Sequence, residues 1–101
     1  MDVPVTCRLN EATARSQVVK WREALDVSIR AAERISPAEL ALRLRDDLAG
    51  VGDLLRLAQR ERECCPFFGF TLQVEPHVIT LTVSVPDDAI PILDEFAQLA
   101  S

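Results

Sequence analysis

The chain has 101 residues, of which 49% are hydrophobic and 27% charged, and it carries a formal net charge of -5. That length suits one domain with a single modest core, not two. The acidic balance and the scattered basic residues argue against a nucleic-acid partner, which draws on clustered Lys and Arg. No apolar run approaches the ~20 residues of a membrane span, so no membrane partner is expected.

Val3, Val5, Cys7 and Leu9 alternate with Pro4, Thr6, Arg8 and Asn10. This is the period of a half-buried strand, with Cys7 on its apolar side. Pro4 suits an edge or a strand start, not a central strand. Asn10 can cap a first helix with Glu11 in its first turn. Ala14, Val18, Trp21 and Leu25 then fall on one helical stripe, and the helix runs to about Asp26. Val27, Ile29 and Ala31 alternate weakly, as a short strand or a frayed end of the helix. A short strand is the preferred reading.

Ser36-Pro37 signals a turn. Leu40, Leu42 and Leu44 alternate with Glu39, Ala41, Arg43 and Arg45 as a strand. Arg43 and Arg45 share a face, but Asp46 and Asp47 follow at once. Either aspartate can cap the next helix. Its stripe is Leu48, Val51, Leu54, Leu55 and Ala58, and Gly50 and Gly52 weaken its first turns. Pro66 holds Cys65 extended, so this helix ends near Cys64.

Phe68, Phe70, Leu72 and Val74 form the next alternation, and Ile79, Leu81, Val83 and Val85 another. Glu75-Pro76-His77 joins them in a hairpin. Asp87-Asp88 then caps a last helix, with Pro91 in its first turn and Ile92, Leu93, Phe96, Leu99 and Ala100 as its buried stripe. The element order is β-α-(β)-β-α-β-β-α. It predicts an α+β fold of two layers, a mainly antiparallel sheet with helices on one face, as a ferredoxin-like variant. Residues 1–101 are expected to form this single domain.

The chemistry centres on Cys64 and Cys65. The chain has three cysteines, so a complete set of intrachain disulfides is impossible. Met1-Asp2-Val3-Pro4 lacks the basic and apolar regions of a signal peptide, so a cytoplasmic protein with reduced thiols is expected. At roughly 100° per residue, Cys65 falls close to the apolar stripe beside Leu54 and Ala58. Cys64 falls at its margin, over Arg60. A disulfide between adjacent residues would be strained, because Cα atoms ~3.8 Å apart lie below the usual ~4.4–6.8 Å. Thiolates favour Cu(I), Zn(II) and other soft ions. The spacing does not fit a structural zinc site, and only Cys7 and His77 remain to supply further ligands.

Thiol reactivity receives mixed signals. The helix C-terminus, Glu61 and Glu63 disfavour a thiolate, whereas Arg60 and Arg62 favour one. Cysteines also pack as small apolar residues, and on that reading Cys65 and Cys7 fill the core and Cys64 is a boundary residue. His77 suits a turn, and Trp21 suits the core. Phe67 has the opposite parity to Phe68 and Phe70, so an open second sheet face would expose it as a dimer contact or small-molecule groove. No Gly-rich phosphate loop, HExxH or GxSxG occurs, and no catalytic residues are assigned.

Glu61-Arg62-Glu63-Cys64-Cys65-Pro66-Phe67-Phe68-Gly69-Phe70-Thr71-Leu72 resembles a group of small, mostly uncharacterised bacterial proteins with an E-x-x-C-C-P-F-F/L-x-F-x-L signature. Cys7-Arg8-Leu9, Arg15 and Trp21 are similar to the same group's C-x-L…R…W opening. Some members are associated with heavy-metal resistance. The resemblance implies thiol-based metal handling. Together with the residues, it predicts a thiophilic metal or metalloid ion held by Cys64 and Cys65, with Cys7 as a third ligand. The alternatives are a non-catalytic interaction module, as a homodimer, and a thiol redox protein.

Overall fold

A computed structural model describes residues 11–64 and 67–100. The elements are α1 (Glu11–Ser28), β1 (Ile29–Ser36), β2 (Glu39–Leu44), α2 (Leu48–Cys64), β3 (Gly69–Glu75), β4 (Val78–Ser84), a 3₁₀ turn (Asp87–Ala89) and α3 (Ile90–Ala100). The strand expected over Val3–Leu9 lies outside the described residues. No helix is long and apolar enough to cross a membrane among the described residues.

The four strands form one sheet in the order β1-β2-β4-β3, and every pairing is antiparallel. β2 and β3 therefore point the same way. They are joined through α2 with β4 inserted between them, which makes a split β-α-β unit. The ladder places Leu40, Leu42 and Leu44 opposite Val83, Leu81 and Ile79. All six are buried, and they face Trp21 and Leu25 of α1, Val51, Leu54 and Ala58 of α2, and Leu93 and Phe96 of α3 in one core. Alternation with period two is what sends these leucines to one side of β2. The other side of the sheet carries Thr71, Gln73, Thr80 and Thr82, which are exposed or half-buried. The fold is α+β with helices over one face of an antiparallel sheet, as the residue pattern predicts.

The weakly alternating stretch is a strand, but α1 reaches Ser28 before it starts. The Ser28 carbonyl accepts from the Arg45 amide at 2.7 Å and stitches the end of α1 to the end of β2. β1 is mostly exposed and bulged near both ends, between Ile29 and Ala31 and between Arg34 and Ser36. An edge strand of this kind has no second buried face to maintain, so its sequence shows little alternation.

Asp47 caps α2, accepting from the Ala49 amide at 3.3 Å through its side chain. Leu55, expected on the buried stripe of that helix, is 39% exposed. One residue past Leu54 turns the side chain about 100° around the axis and out of the core. The last helix also starts differently. Asp87 and Asp88 belong to a 3₁₀ turn that precedes α3, and its N-cap, Pro86, makes no side-chain cap bond. Its backbone closes instead through Ala89 N to Pro86 O at 2.9 Å.

Candidate functional site

Helix α2 buries Val51, Leu54 and Ala58, and the same inward face continues to Glu61. At 100° per residue Glu61 falls between Leu54 and Leu57, so a carboxylate reaches the rim of the core in the helix's last turn. There it accepts from the Trp21 indole, Nε1 to Oε2 at 3.1 Å. Trp21 is 2% exposed, so this bond satisfies a buried donor that packing alone would leave unpaired. The only sequence signal for the pair was a carboxylate on an apolar stripe.

Trp21 is also the hub of an aromatic cluster. Its ring stacks on Phe70 at 6.0 Å and meets Phe96 edge-on at 4.8 Å. Phe68 stacks on Phe67 at 4.8 Å and on Phe70 at 5.7 Å, and approaches Phe96 at 6.0 Å. The single tryptophan and all four phenylalanines of the chain are thus in one group. Three of the five come from the Pro66-Phe67-Phe68-Gly69-Phe70 run, so the segment after the cysteine pair is anchored in the core.

Phe67 corrects an expectation. It is 6% exposed and so offers no surface for a dimer or a groove. Strand parity does not apply to it, because β3 starts only at Gly69 and Phe67 sits in the preceding turn. Trp21 belongs to the core, as expected.

The backbone of α2 ends at Cys64, where Pro66 predicts that it should. The Cys64 thiol, Cys65 and Cys7 lie outside the described residues. His77 is exposed in the two-residue turn between β3 and β4. From Gly69 it lies roughly 20 Å along β3, at the opposite end of the sheet from the end of α2, given a rise of ~3.3 Å per residue. It cannot share an ion with a residue at that end of α2. Among the described residues, no three His, Cys, Asp or Glu side chains come together in a metal-binding group.

Helices α1 and α2 run antiparallel. Trp21 meets Glu61 near the end of α2, whereas Ser28 meets Gly50 near its start. The end of α2 therefore lies beside the middle of α1, and α1 begins about 15 Å further toward that end of the molecule, at ~1.5 Å per residue. A groove of about 600 Å³ runs between the two helices, lined by Lys20, Glu23, Val27, Arg56 and Arg60 among others. Its charges are mixed, and Arg56 is already held by Asp53 at 2.9 Å. No known protein family, curated protein or solved structure compared with the chain matches it.

Proposed function

We propose that the protein binds a thiophilic metal or metalloid ion through Cys64 and Cys65, with Cys7 as the third ligand. The observation that carries this reading is the antiparallel course of α1 and α2. It directs the start of α1 toward the end of the molecule where α2 stops, with Trp21 of mid-α1 beside the last turn of α2. Cys7 is four residues from Glu11 and so within about 14 Å of it along the chain, at ~3.3–3.6 Å per residue. Rigid support strengthens the reading. The Trp21–Glu61 bond holds the last turn of α2, and buried Phe67 and Phe68 hold the chain just beyond it. A pair of thiolates on such a joint loses little conformational freedom when it closes on an ion.

Native mass spectrometry of the reduced full-length protein with Hg(II), Cu(I), As(III) or Zn(II) tests this. One equivalent of a soft ion should survive, should be lost in Cys64→Ser, Cys65→Ser, and should weaken in Cys7→Ser. No retention of any of the four ions at micromolar protein would refute the proposal.

The aromatic cluster favours a second reading, in which the motif serves the core and its cysteines only pack. The Cys64→Ser, Cys65→Ser protein keeps its fold under both readings. Ion retention by the unmodified chain separates them.

A further inference from the structure

The two edges of the sheet are unlike. β1 carries Arg30, Glu33 and Arg34 and is bulged near both ends, the usual protections against unwanted pairing. β3 has an unbroken register over Gly69–Glu75 and no basic residue, and among the described residues it pairs with β4 alone. Its helix-side residues are also undercovered. Leu72 and Val74 are 36% and 68% exposed, although their ladder partners Leu81 and Ile79 are at 0% and 7%. A flat, apolar edge next to a complete core calls for a cover.

We propose that residues 3–9 of this chain supply that cover as a fifth strand, antiparallel to β3, with Val3 and Val5 over Leu72 and Val74. Helix α1 passes directly into β1 at Ile29, yet Trp21, about two turns earlier, stacks on Phe70 of β3. Helix α1 slants across the sheet from the β3 side to the β1 side, so its own start lies on the β3 side. Ile29, Leu44, Ile79 and Val74 line up at one end of the sheet, and α1 runs toward that end. Helix α1 therefore starts toward the Gly69 end, and a strand that leads into it along the sheet would run opposite to β3. Every other pairing in this sheet is antiparallel too.

Side-chain pattern agrees on both faces. Val3, Val5, Cys7 and Leu9 match Phe70, Leu72 and Val74 on the helix side, and Pro4, Thr6 and Arg8 match Thr71 and Gln73 on the polar side. Residues 3–9 equal the 7-residue length of β3. Pro4, which has no amide to donate, suits an outermost strand. A tethered strand also outcompetes a second molecule for the same edge, because its effective concentration is far higher. The same docking carries Cys7 toward the Gly69 end, where α2 stops. The strand stands on the sheet alone, however, and survives if no ion binds.

The test is NMR on the full-length, metal-free protein. Methyl cross-peaks from Val3 and Val5 to Leu72 and Val74 are expected, together with slowed exchange of the β3 amides that point away from β4. In Val3→Asp, Val5→Asp these contacts and that protection should be lost while the β2–β4 ladder stays protected. Absence of the contacts in the unmodified chain overturns the proposal. So do contacts of residues 3–9 with β1, and isotope-filtered cross-peaks showing β3 paired with a second copy. Ion binding is read separately by mass, so either idea can fail without the other.

Discussion

Replacing Gly52 with alanine should stabilise the protein, whereas the same change at Gly50 should not. Both glycines lie in the first turns of α2, where alanine gains about 0.5–1 kcal/mol through its better helix propensity. A Cβ on Gly52 meets nothing within 4 Å, so the gain is realised in full. For a domain of this size it corresponds to a rise in Tm of about 4–8 °C per kcal/mol. A Cβ on Gly50 would clash with Ser28 Oγ and lie 3.1 Å from Asp47 Oδ2. Ser28 is 2% exposed, so its hydroxyl has little room to give way, and Asp47 is committed to the helix cap. Overpacking of this kind costs about 1–3 kcal/mol, which exceeds the propensity gain and leaves a net loss of ~1 kcal/mol. Ser28→Ala should restore Gly50→Ala in part, because it removes the worst contact and leaves the Ser28 Cβ at an ordinary 3.5 Å, whereas Asp47 Oδ2 at 3.1 Å remains close. Urea and thermal unfolding followed by circular dichroism give all four stabilities. Stabilisation by Gly50→Ala equal to that by Gly52→Ala, or no improvement of Gly50→Ala by Ser28→Ala, would refute a clash at Ser28.

Other perturbations probe the cluster and the surface. Phe96→Ala should cost about 3–5 kcal/mol in urea unfolding, because it opens a cavity against Trp21 and Phe68. Trp21→Phe keeps a ring but removes the donor to Glu61, and should cost about 1–3 kcal/mol by the same assay, a loss that Glu61→Gln should largely escape. Asp94→Asn should cost less than about 1 kcal/mol, because its 2.7 Å pair with Arg34 is exposed, and the loss should shrink as salt is raised. Arg34→Ala should cost more than Asp94→Asn in parallel melts. Arg34 also donates to the carbonyls of Ser36 at 3.2 Å and Pro37 at 2.6 Å, and so holds the β1–β2 turn.

How much of this was legible depends on how strongly each segment faces the core. Leu40, Leu42 and Leu44 could be read because β2 lies between two strands and buries one full side. β1 was ambiguous because an exposed edge selects for charge and bulges, which erase the period. Phe67 was misread because alternation was carried two residues beyond the strand that produces it. The order of strands was not readable, since antiparallel hairpins with apolar alternation are compatible with several arrangements. At the site, Pro66 marked the end of α2 correctly. The Trp21–Glu61 bond joins residues 40 positions apart, a distance at which local periodicity says nothing about partners.

The split unit has a consequence for synthesis. β4, between β2 and β3, is the last strand of the sheet to leave the ribosome. Until Ser84 has emerged, β1 and β2 can form only a hairpin, and β3 has no described neighbour. A two-stranded hairpin is marginal alone in water, so little of the sheet can persist on a nascent chain. Folding of the sheet therefore waits until β4 has emerged. A transcript or protease cut that removes residues beyond Val78 would leave two separated pieces of sheet with exposed apolar faces, and such a fragment is a substrate for chaperones and degradation.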